Sequence, residues 1–285
     1  MRVRFGAWVV EGELGRGGMG VVYAAVHRES GERRALKVVH APAGAEEEVA
    51  RFSREVRLCM ALSHPHVVRV VGVERVGPED GAPPAGTEPC CLVLELCDGG
   101  SLADRVGRDG PLPVRQALEL FDGVLAGLGH VHQEHGVVHR DIKPHNILLS
   151  LGSDGRITAK LADFGLAKAY DSAGLSGLTR TGVVMGTPAF MPRAQLINYK
   201  YATPEVDVWS TAASLYYVLT GTTPRDLPPG WDPWLAVAGS PVVPAGKRRA
   251  GLPPGLCEVL DHALSDEPDG GFRTAGALRA ALDGS

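Results

Sequence analysis

The chain has 285 residues, 44% of them apolar and 22% charged, which is enough to bury the core of one large or two small domains. Its formal net charge of −4 argues against nucleic acid as the main partner, because phosphate backbones select strongly basic surfaces. No stretch approaches the roughly 18 uninterrupted apolar residues of a membrane helix, and no signal peptide is recognisable. Five cysteines without a Cys-x-x-Cys pair indicate reduced thiols, so we expect a cytoplasmic protein or the cytosolic domain of a larger one.

The first hundred or so residues read as strands around one helix. Short β-rich runs between Gly-rich or charged turns predict the strands, and apolar residues at helical spacing predict the helix. The predicted strands are Trp8–Leu14, Val21–Val26, Arg33–Val39, Val67–Val76 and Cys90–Leu96, and the predicted helix is Glu46–Leu62. Gly77–Pro89 is too rich in Pro and Gly to pack, so it is predicted as a mobile loop.

From Ser101 onward the pattern turns helical, apart from one β-like run. The predicted helices are Val114–His135, Thr203–Thr220, Gly255–Leu264 and Thr274–Leu282, and the β-like run is Ile157–Leu161. The sequence therefore predicts an α+β fold with a small β-rich part and a larger, mostly helical part. We place the two parts at residues 1–97 and 98–285.

The first motif is a glycine-rich turn between two predicted strands, Gly15-Arg-Gly17-Gly18-Met-Gly20. Glycines let a turn approach a phosphate chain closely and leave backbone N–H groups free to bind it. The position between two strands counts against a dinucleotide fingerprint, which runs from a strand into a helix. A plain Gly-rich hairpin remains an alternative.

Two charged residues after this turn become informative as a pair. Lys37, on the next strand, reads alone as a solvated edge charge, and Glu55 reads alone as an exposed helix carboxylate. Together they fit a nucleotide site, because a buried lysine binds phosphates well when a carboxylate orients its ammonium group. Arg54 and Arg57 are alternative local partners for Glu55, so the sequence leaves this pairing open.

The segment His139–Asn146 places an acid, a base, a proline turn and an amide in one loop. Asp163-Phe-Gly165 follows the β-like run. In this order, the glycine turn, Lys37, Glu55 and these two motifs are the signature set of protein kinases. The chain resembles the bacterial Hanks-type (eukaryote-like) Ser/Thr protein kinases over nearly its whole length.

The resemblance implies a bilobal kinase fold that binds ATP between the lobes and acts on protein substrates with Ser/Thr acceptors. Asp141 would accept or orient the proton of the attacking hydroxyl. Lys143 would contact the γ-phosphate, and Lys37, oriented by Glu55, would bind the α- and β-phosphates.

Further roles follow from the same resemblance. Asn146 and Asp163 would hold Mg²⁺, for which Mn²⁺ could substitute. The Thr187 hydroxyl, in the segment that implies Ser/Thr specificity, would bridge Asp141 and Lys143. The adenine site would comprise the glycine turn (Gly15, Gly17, Gly18, Gly20), apolar residues (Leu14, Val22, Ala35, Leu148, Ala162), a gatekeeper (Leu94) and the hinge backbone (Glu95, Cys97).

Two expectations concern packing and regulation. Asp207 resembles the buried carboxylate that anchors the catalytic loop, so its substitution would abolish activity without touching the chemistry. Arg140, directly before Asp141, is a cation that an anionic group could reach. Thr179 and Thr181 lie where related kinases autophosphorylate, and we expect activation by phosphate on this pair, with a homodimer allowing the reaction in trans.

The match to the family breaks after Thr187. The family expects an Ala-Pro-Glu motif whose Glu pairs with a late Arg, but the chain has Pro192-Arg193-Ala194. The late Arg corresponds to Arg273, which would then be solvated, paired with another acid, or left beside a loosened segment. A buried unpaired charge typically costs about 3–5 kcal/mol, which predicts that Ala194→Glu raises thermal stability.

Three other functions compete with an active protein kinase. A pseudokinase would bind nucleotide or a partner without phosphotransfer, and only Ala194 favours it. A small-molecule kinase would lack the Lys143 arrangement and the long segment before Thr187. A pure interaction module leaves the catalytic set unexplained.

Overall fold

The computed structural model describes residues 4–17, 20–42, 54, 56–75, 87–164, 188–197, 202–227, 230–267 and 270–285. The chain divides into two compact units. The first comprises Met1–His64, Val68–Cys97 and Asp163–Met185, and the second comprises Pro65–Val67, Asp98–Ala162 and Gly186–Ser285. Within the described residues, no helix is long and apolar enough to cross a membrane.

The first unit contains an antiparallel sheet of six strands in the order β1-β2-β3-β4-β6-β5. The strands are β1 (Arg4–Phe5), β2 (Trp8–Gly17), β3 (Gly20–His27), β4 (Arg33–Pro42), β5 (Val70–Arg75) and β6 (Thr87–Leu94). Of the predicted helix Glu46–Leu62, the structure describes residues 54 and 56–62. Residues 54 and 56–61 are helical and form α1, whereas Leu62 is not helical.

Two strand boundaries differ from the prediction. The sequence places Thr87–Pro89 in a loop, but β6 begins at Thr87, because the ladder with β4 continues as far as Pro42 opposite Thr87. β5 begins at Val70 instead of Val67, because Val67 belongs to the second unit and forms a parallel bridge with Leu161.

The two faces of the sheet have different surroundings. Alternate residues of a strand point to opposite faces. One face forms a hydrophobic core around Leu36, with Phe5, Trp8, Ala25, Cys91 and Val93. The register pairs Ala35 with Leu94 and Val22 with Lys37, which places these four residues together on the other face.

The second unit is mostly helical and contains one two-stranded sheet. Its helices are α2 (Leu102–Asp109), α3 (Val114–His135), α4 (Arg193–Ile197), α5 (Pro204–Thr220), α6 (Pro233–Gly239), α7 (Ala245–Arg248), α8 (Pro254–Ala263) and α9 (Ala275–Asp283). Strands β7 (Ile147–Leu151) and β8 (Ile157–Leu161) pair in an antiparallel hairpin, and 3-10 turns span Pro144–Asn146 and Pro188–Phe190. The prediction included β8 and missed β7, whose apolar run directly follows the catalytic loop.

Helix α5 lies in the core of this unit. It is buried on nearly all sides, including Ser and Thr residues that a surface helix would expose. Their hydroxyls are satisfied along the helix, as in Thr211 donating to the carbonyl of Asp207 at 2.7 Å and Ser214 donating to that of Ser210 at 2.8 Å. The helix therefore provides a fixed support beneath the catalytic loop.

The segment Pro65–Val67 packs closely against helix α3 at two glycines of that helix. An added Cβ would lie 2.1 Å from the His66 ring at Gly123 and 2.9 Å from the His66 carbonyl oxygen at Gly127. The His66 Nδ1 donates to the carbonyl of Ala159 at 2.8 Å. Glycine at both positions is therefore required for the close approach of this segment.

Candidate active site

The catalytic loop places a cation and an amide on the carboxylate of Asp141. Lys143 Nζ lies 3.0 and 2.9 Å from its two oxygens. Asn146 Nδ2 donates to Oδ2 at 3.0 Å and to the backbone carbonyl of Asp141 at 2.7 Å. The Asp141 side chain is 26% exposed, so an approaching hydroxyl can reach it.

Asp207, at the start of α5, holds the beginning of this loop. Its side chain is fully buried and accepts the backbone N–H groups of His139 and Arg140, each at 2.7 Å. His132 Nε2 lies 2.9 Å from the same carboxylate. The anchoring arrangement expected of Asp207 is therefore present in the structure.

His139 connects the loop to the end of β8. Its ring is 1% exposed, and its Nε2 donates to the carbonyl of Ala162 at 2.7 Å. Its Nδ1 accepts the backbone N–H of Asp141 at 3.3 Å. These two partners fix the neutral tautomer that carries its proton on Nε2. The ring is a packing and orienting group in this arrangement.

Two residues of the motifs have left-handed backbone conformations. Among the described residues, Arg140 (φ 69°) and Asp163 (φ 66°) are the non-glycine residues with positive φ. Such a conformation costs about 1–3 kcal/mol and persists where the surroundings impose it, commonly at active sites. Arg140 directly precedes Asp141, and Asp163 is itself one of the residues proposed for the site.

In the first unit, Lys37 forms an ion pair with Asp163. Its Nζ lies 2.8 Å from Asp163 Oδ1, and the two side chains are 5% and 33% exposed. A buried ammonium group needs such a partner to offset its desolvation. Glu55, the partner named from the sequence, lies outside the described residues, so the Lys37–Glu55 pair stays a prediction.

The glycine-rich turn joins β2 and β3. Gly15 pairs with Val22 and Gly17 with Gly20 across this hairpin. Gly20 has a φ of 132°, which side-chain-bearing residues rarely adopt, and an added Cβ on Gly15 would meet nothing within 4 Å. Gly18 lies outside the described residues.

Of the residues assigned to the adenine site, Val22, Ala35 and Leu94 share one sheet face with Lys37. Leu14 on β2 is 53% exposed. The backbone N–H of Glu95 donates to the carbonyl of Arg69 at 2.9 Å, and its hinge role stays a prediction. Cys97 is partly buried in the first unit, whereas Leu148 on β7 and Ala162 after β8 belong to the second.

The segment after Thr187 has Ala194 where the family has a glutamate, so the surroundings of Ala194 and of the late Arg273 are of interest. Thr187 lies outside the described residues, as do Thr179 and Thr181. Ala194 on α4 is exposed. Arg273 is also exposed and takes part in an interaction. The free-energy cost of a buried, unpaired charge therefore does not apply to it. The structure therefore fits the alternative in which Arg273 is solvated, and it removes the buried charge from which stabilisation by Ala194→Glu was predicted.

An ionic group built around the buried Arg225, which we call the Asp266 cluster (Arg193, Arg225 and Asp266), holds this region instead. Arg225 is fully buried, forms an ion pair with Asp266 and donates to the carbonyl of Met191 at 3.3 Å. Its guanidinium also lies 4.7 Å from the ring centre of Trp209. Burial lowers the pKa of Arg225, and the carboxylate of Asp266 opposes that change.

Arg193 connects the Asp266 cluster to α6. Its Nη1 lies 3.4 Å from Asp266 Oδ2, and its Nε and Nη2 donate to the carbonyls of Val237 and Ser240 at 3.1 and 2.8 Å. A cation near the last carbonyls of a helix is favourable. Sequence reasoning missed this cluster, because its members are 32 to 73 positions apart and match no motif.

Comparison with known proteins agrees with this geometry. The protein kinase domain family matches residues 8–228. The chain is 35% identical to the serine/threonine-protein kinase Pkn2 of Myxococcus xanthus over 94% of its own length and 31% of that protein. It is 34% identical to PknB of Mycolicibacterium smegmatis over 94% of its own length and 41% of that protein.

A third relative, PknL of Mycobacterium bovis, is 34% identical, with 97% of this chain and 65% of that protein aligned. The chain thus spans about a third to two thirds of the length of these relatives. The crystal structure of a mutant form of the Mycobacterium tuberculosis PknI kinase domain superposes with a TM-score of 0.69 at 24% identity, covering 99% of this chain and 96% of that one. This likeness confirms the predicted α+β kinase fold.

The ordered motifs, the Asp141 geometry, the fold and the matching relatives all agree. The chain belongs to the protein kinase family, as a serine/threonine-protein kinase domain of the bacterial Hanks type.

Proposed function

We propose that this domain transfers the γ-phosphoryl group of ATP to serine and threonine hydroxyls of protein substrates, with Asp141 as the catalytic carboxylate. The observation that carries the proposal is the double engagement of Asp141 by Lys143 and Asn146. These contacts orient the carboxylate while part of it stays accessible. No feature of the described residues or of the relatives favours the pseudokinase alternative.

Each side chain has a separate task in this proposal. Asp141 accepts or orients the proton of the attacking hydroxyl, and Lys143 neutralises charge on the transferred phosphoryl group. Lys37 binds the nucleotide phosphates, exchanging part of its contact with Asp163 for them. Since such transfer requires little covalent assistance, positioning and charge supply most of the rate enhancement.

Protein kinases use ATP with a divalent metal ion, and two residues fit that ion here. Asn146 directs its Nδ2 to Asp141, which leaves the amide oxygen as its metal ligand. Asp163 supplies a carboxylate, and Mg²⁺ prefers oxygen ligands of these two kinds. Mg²⁺, or Mn²⁺ in its place, would neutralise charge on the phosphate oxygens when bound with nucleotide.

The test is phosphotransfer from radiolabelled ATP to the chain itself and to a generic acceptor protein, with Mg²⁺ present. We expect label on both in the wild type and none above background in Asp141→Asn, with mapped sites on serine and threonine. Nucleotide binding without any transfer by the wild type would contradict the proposal and support a pseudokinase.

We also propose that phosphate on Thr179 or Thr181 activates the domain through Arg140. Arg140 Nε is buried and has no hydrogen-bond partner among the described residues, which suits later contact with an anion. A phosphate adds roughly −1.5 to −2 charge and pairs readily with arginine. A homodimer would allow the reaction in trans.

Mass spectrometry of the active wild type tests this regulation. We expect phosphate on Thr179 or Thr181, and the double variant Thr179→Ala/Thr181→Ala should lose most activity while still binding nucleotide. An active enzyme with neither threonine modified would exclude the idea. Among the described residues, Cys59, Cys91, Cys97 and Cys257 form no disulfide, which suits the cytoplasmic location that we propose.

A further inference from the structure

Helix α4 sends one buried side chain to the catalytic loop. Gln195 is 1% exposed, and its Nε2 donates to the backbone carbonyl of Arg140 at 2.7 Å. The amide orientation is unambiguous, because Oε1 in that position would face another oxygen. This carbonyl belongs to the peptide group that joins Arg140 to Asp141.

Gln195 completes the restraint of the backbone before Asp141. Asp207 already accepts the N–H groups of His139 and Arg140. Arg140 has the strained left-handed conformation, and Gln195 binds the carbonyl on its other side. Because a rotation of this peptide group would move the Cα of Asp141, both bonds bear on where its carboxylate lies.

The other half of the Gln195 amide argues that the contact does more than stabilise the fold. Its Oε1 is buried without a hydrogen-bond partner among the described residues. A buried unsatisfied oxygen destabilises the fold, and an apolar side chain of similar size would avoid that cost. A residue near an active site that keeps such a buried, unsatisfied oxygen is expected to have a functional reason for it.

We propose that Gln195 is a positioning residue that orients Asp141 through the carbonyl of Arg140. The helix that carries it is itself held, because Arg193 binds the carbonyls at the end of α6 and approaches Asp266. The Asp266 cluster thereby holds α4 in place, and the hydrogen bond from Gln195 in turn restrains the catalytic loop. The inference rests on the proposed function, since Asp141 must be the catalytic carboxylate.

The experiment measures kcat, the KM for ATP and the melting temperature for two variants of the chain. Gln195→Met keeps the length of the side chain and removes the donor. We expect kcat to fall about three- to tenfold, the worth of one hydrogen bond, with the KM for ATP within twofold and the melting temperature unchanged or higher. A merely structural role would lower the melting temperature and leave kcat per folded molecule intact.

Gln195→Glu adds a pH-dependent readout. An ionised carboxylate repels the Arg140 carbonyl, whereas a protonated one can donate to it. The ratio of this variant's kcat to that of the wild type should therefore rise as the pH falls from about 8 to about 6, since burial raises a carboxyl pKa. The charged residues of the two contacting segments, Arg140, Asp141 and Arg193, are the same in both proteins, so a change in the ratio reports the introduced carboxyl group.

Gln133→Met and Gln133→Glu are matched controls, because Gln133 is exposed on α3, and both should retain wild-type kcat at each pH. A Gln195→Met enzyme with kcat within twofold of the wild type would overturn the inference. If that variant is unstable, a pH-independent ratio for Gln195→Glu would overturn it instead. A wild type without any transfer would refute the proposed function, which keeps the two failures distinct.

Discussion

At the scale of single residues, the carboxylate of Asp207 binds three different groups. Two backbone donors and the His132 ring converge on its two buried oxygens. None of these partners takes part in the proposed chemistry. Because the carboxylate is fully buried, water cannot replace a donor or acceptor that is lost there.

We predict that Asp207→Asn inactivates the enzyme through the backbone. An amide offers one acceptor oxygen and turns its NH₂ group toward a donor, so at least one N–H at His139 or Arg140 loses its partner. The free energy of unfolding should fall by about 1–3 kcal/mol, and kcat by at least about tenfold. Urea denaturation and steady-state kinetics measure both quantities.

Asp226→Asn provides the control, since Asp226 is 68% exposed in its ion pair with Arg248. Exposed ion pairs contribute about 0–1 kcal/mol, so this variant should resemble the wild type. An Asp207→Asn enzyme with normal kcat would show that the anchor is dispensable.

At the scale of elements, the chain replaces one expected ion pair with another. The exposed Ala194 and the exposed Arg273 do not need each other, whereas α4 is fixed through Arg193 to Asp266 and to the end of α6. The buried guanidinium of Arg225 also donates to the carbonyl of Met191. The stability of this region should therefore depend on Asp266 and hardly at all on position 194.

We predict opposite outcomes for two substitutions in this region. Ala194→Glu should change the free energy of unfolding by no more than about 0.5 kcal/mol, as expected for an exposed site. Asp266→Asn should lower it by about 3–5 kcal/mol, because it leaves the buried guanidinium of Arg225 without its counter-ion. Thermal and urea denaturation of both variants measure these differences, and the reverse order would contradict our account.

At the scale of the whole molecule, the residues proposed for nucleotide binding and phosphotransfer are found in both compact units. Lys37 and Asp163 belong to the first unit, and Asp141, Lys143 and Asn146 belong to the second. A ligand that binds the folded chain stabilises it against unfolding.

We predict that ATP with Mg²⁺ raises the melting temperature, by an amount equivalent to about 2.7 kcal/mol at one hundred times the dissociation constant. Lys37→Met, in the first unit, and Asn146→Ala, in the second, should each reduce this stabilisation. Differential scanning fluorimetry over a range of nucleotide concentrations measures it, with a chelator replacing Mg²⁺ as the control. A full shift in both variants would show that neither residue contributes to nucleotide binding.

The sequence predicted those features that short segments determine. Helix α3 and strand β8 follow from local periodicity, whereas the kinase fold and the role of the Asp141 loop follow from the family resemblance that the ordered motifs carry. The geometry of Asp207 agrees with the role that the resemblance implies. The Asp266 cluster and the Gln195 contact were missed, because they depend on packing between segments distant in the sequence. The displacement of Val67 from β5 has the same cause, since its partner Leu161 is 94 positions away.

The ion pair of the buried Arg225 with Asp266 also constrains how this sequence can change. Losing Asp266 alone leaves the buried guanidinium without its counter-ion, whereas replacing both residues with apolar side chains of similar volume is often neutral or stabilising. A path between the two states passes through a destabilised single substitution. Close relatives should therefore carry both residues or neither, and the two positions should vary together in evolution.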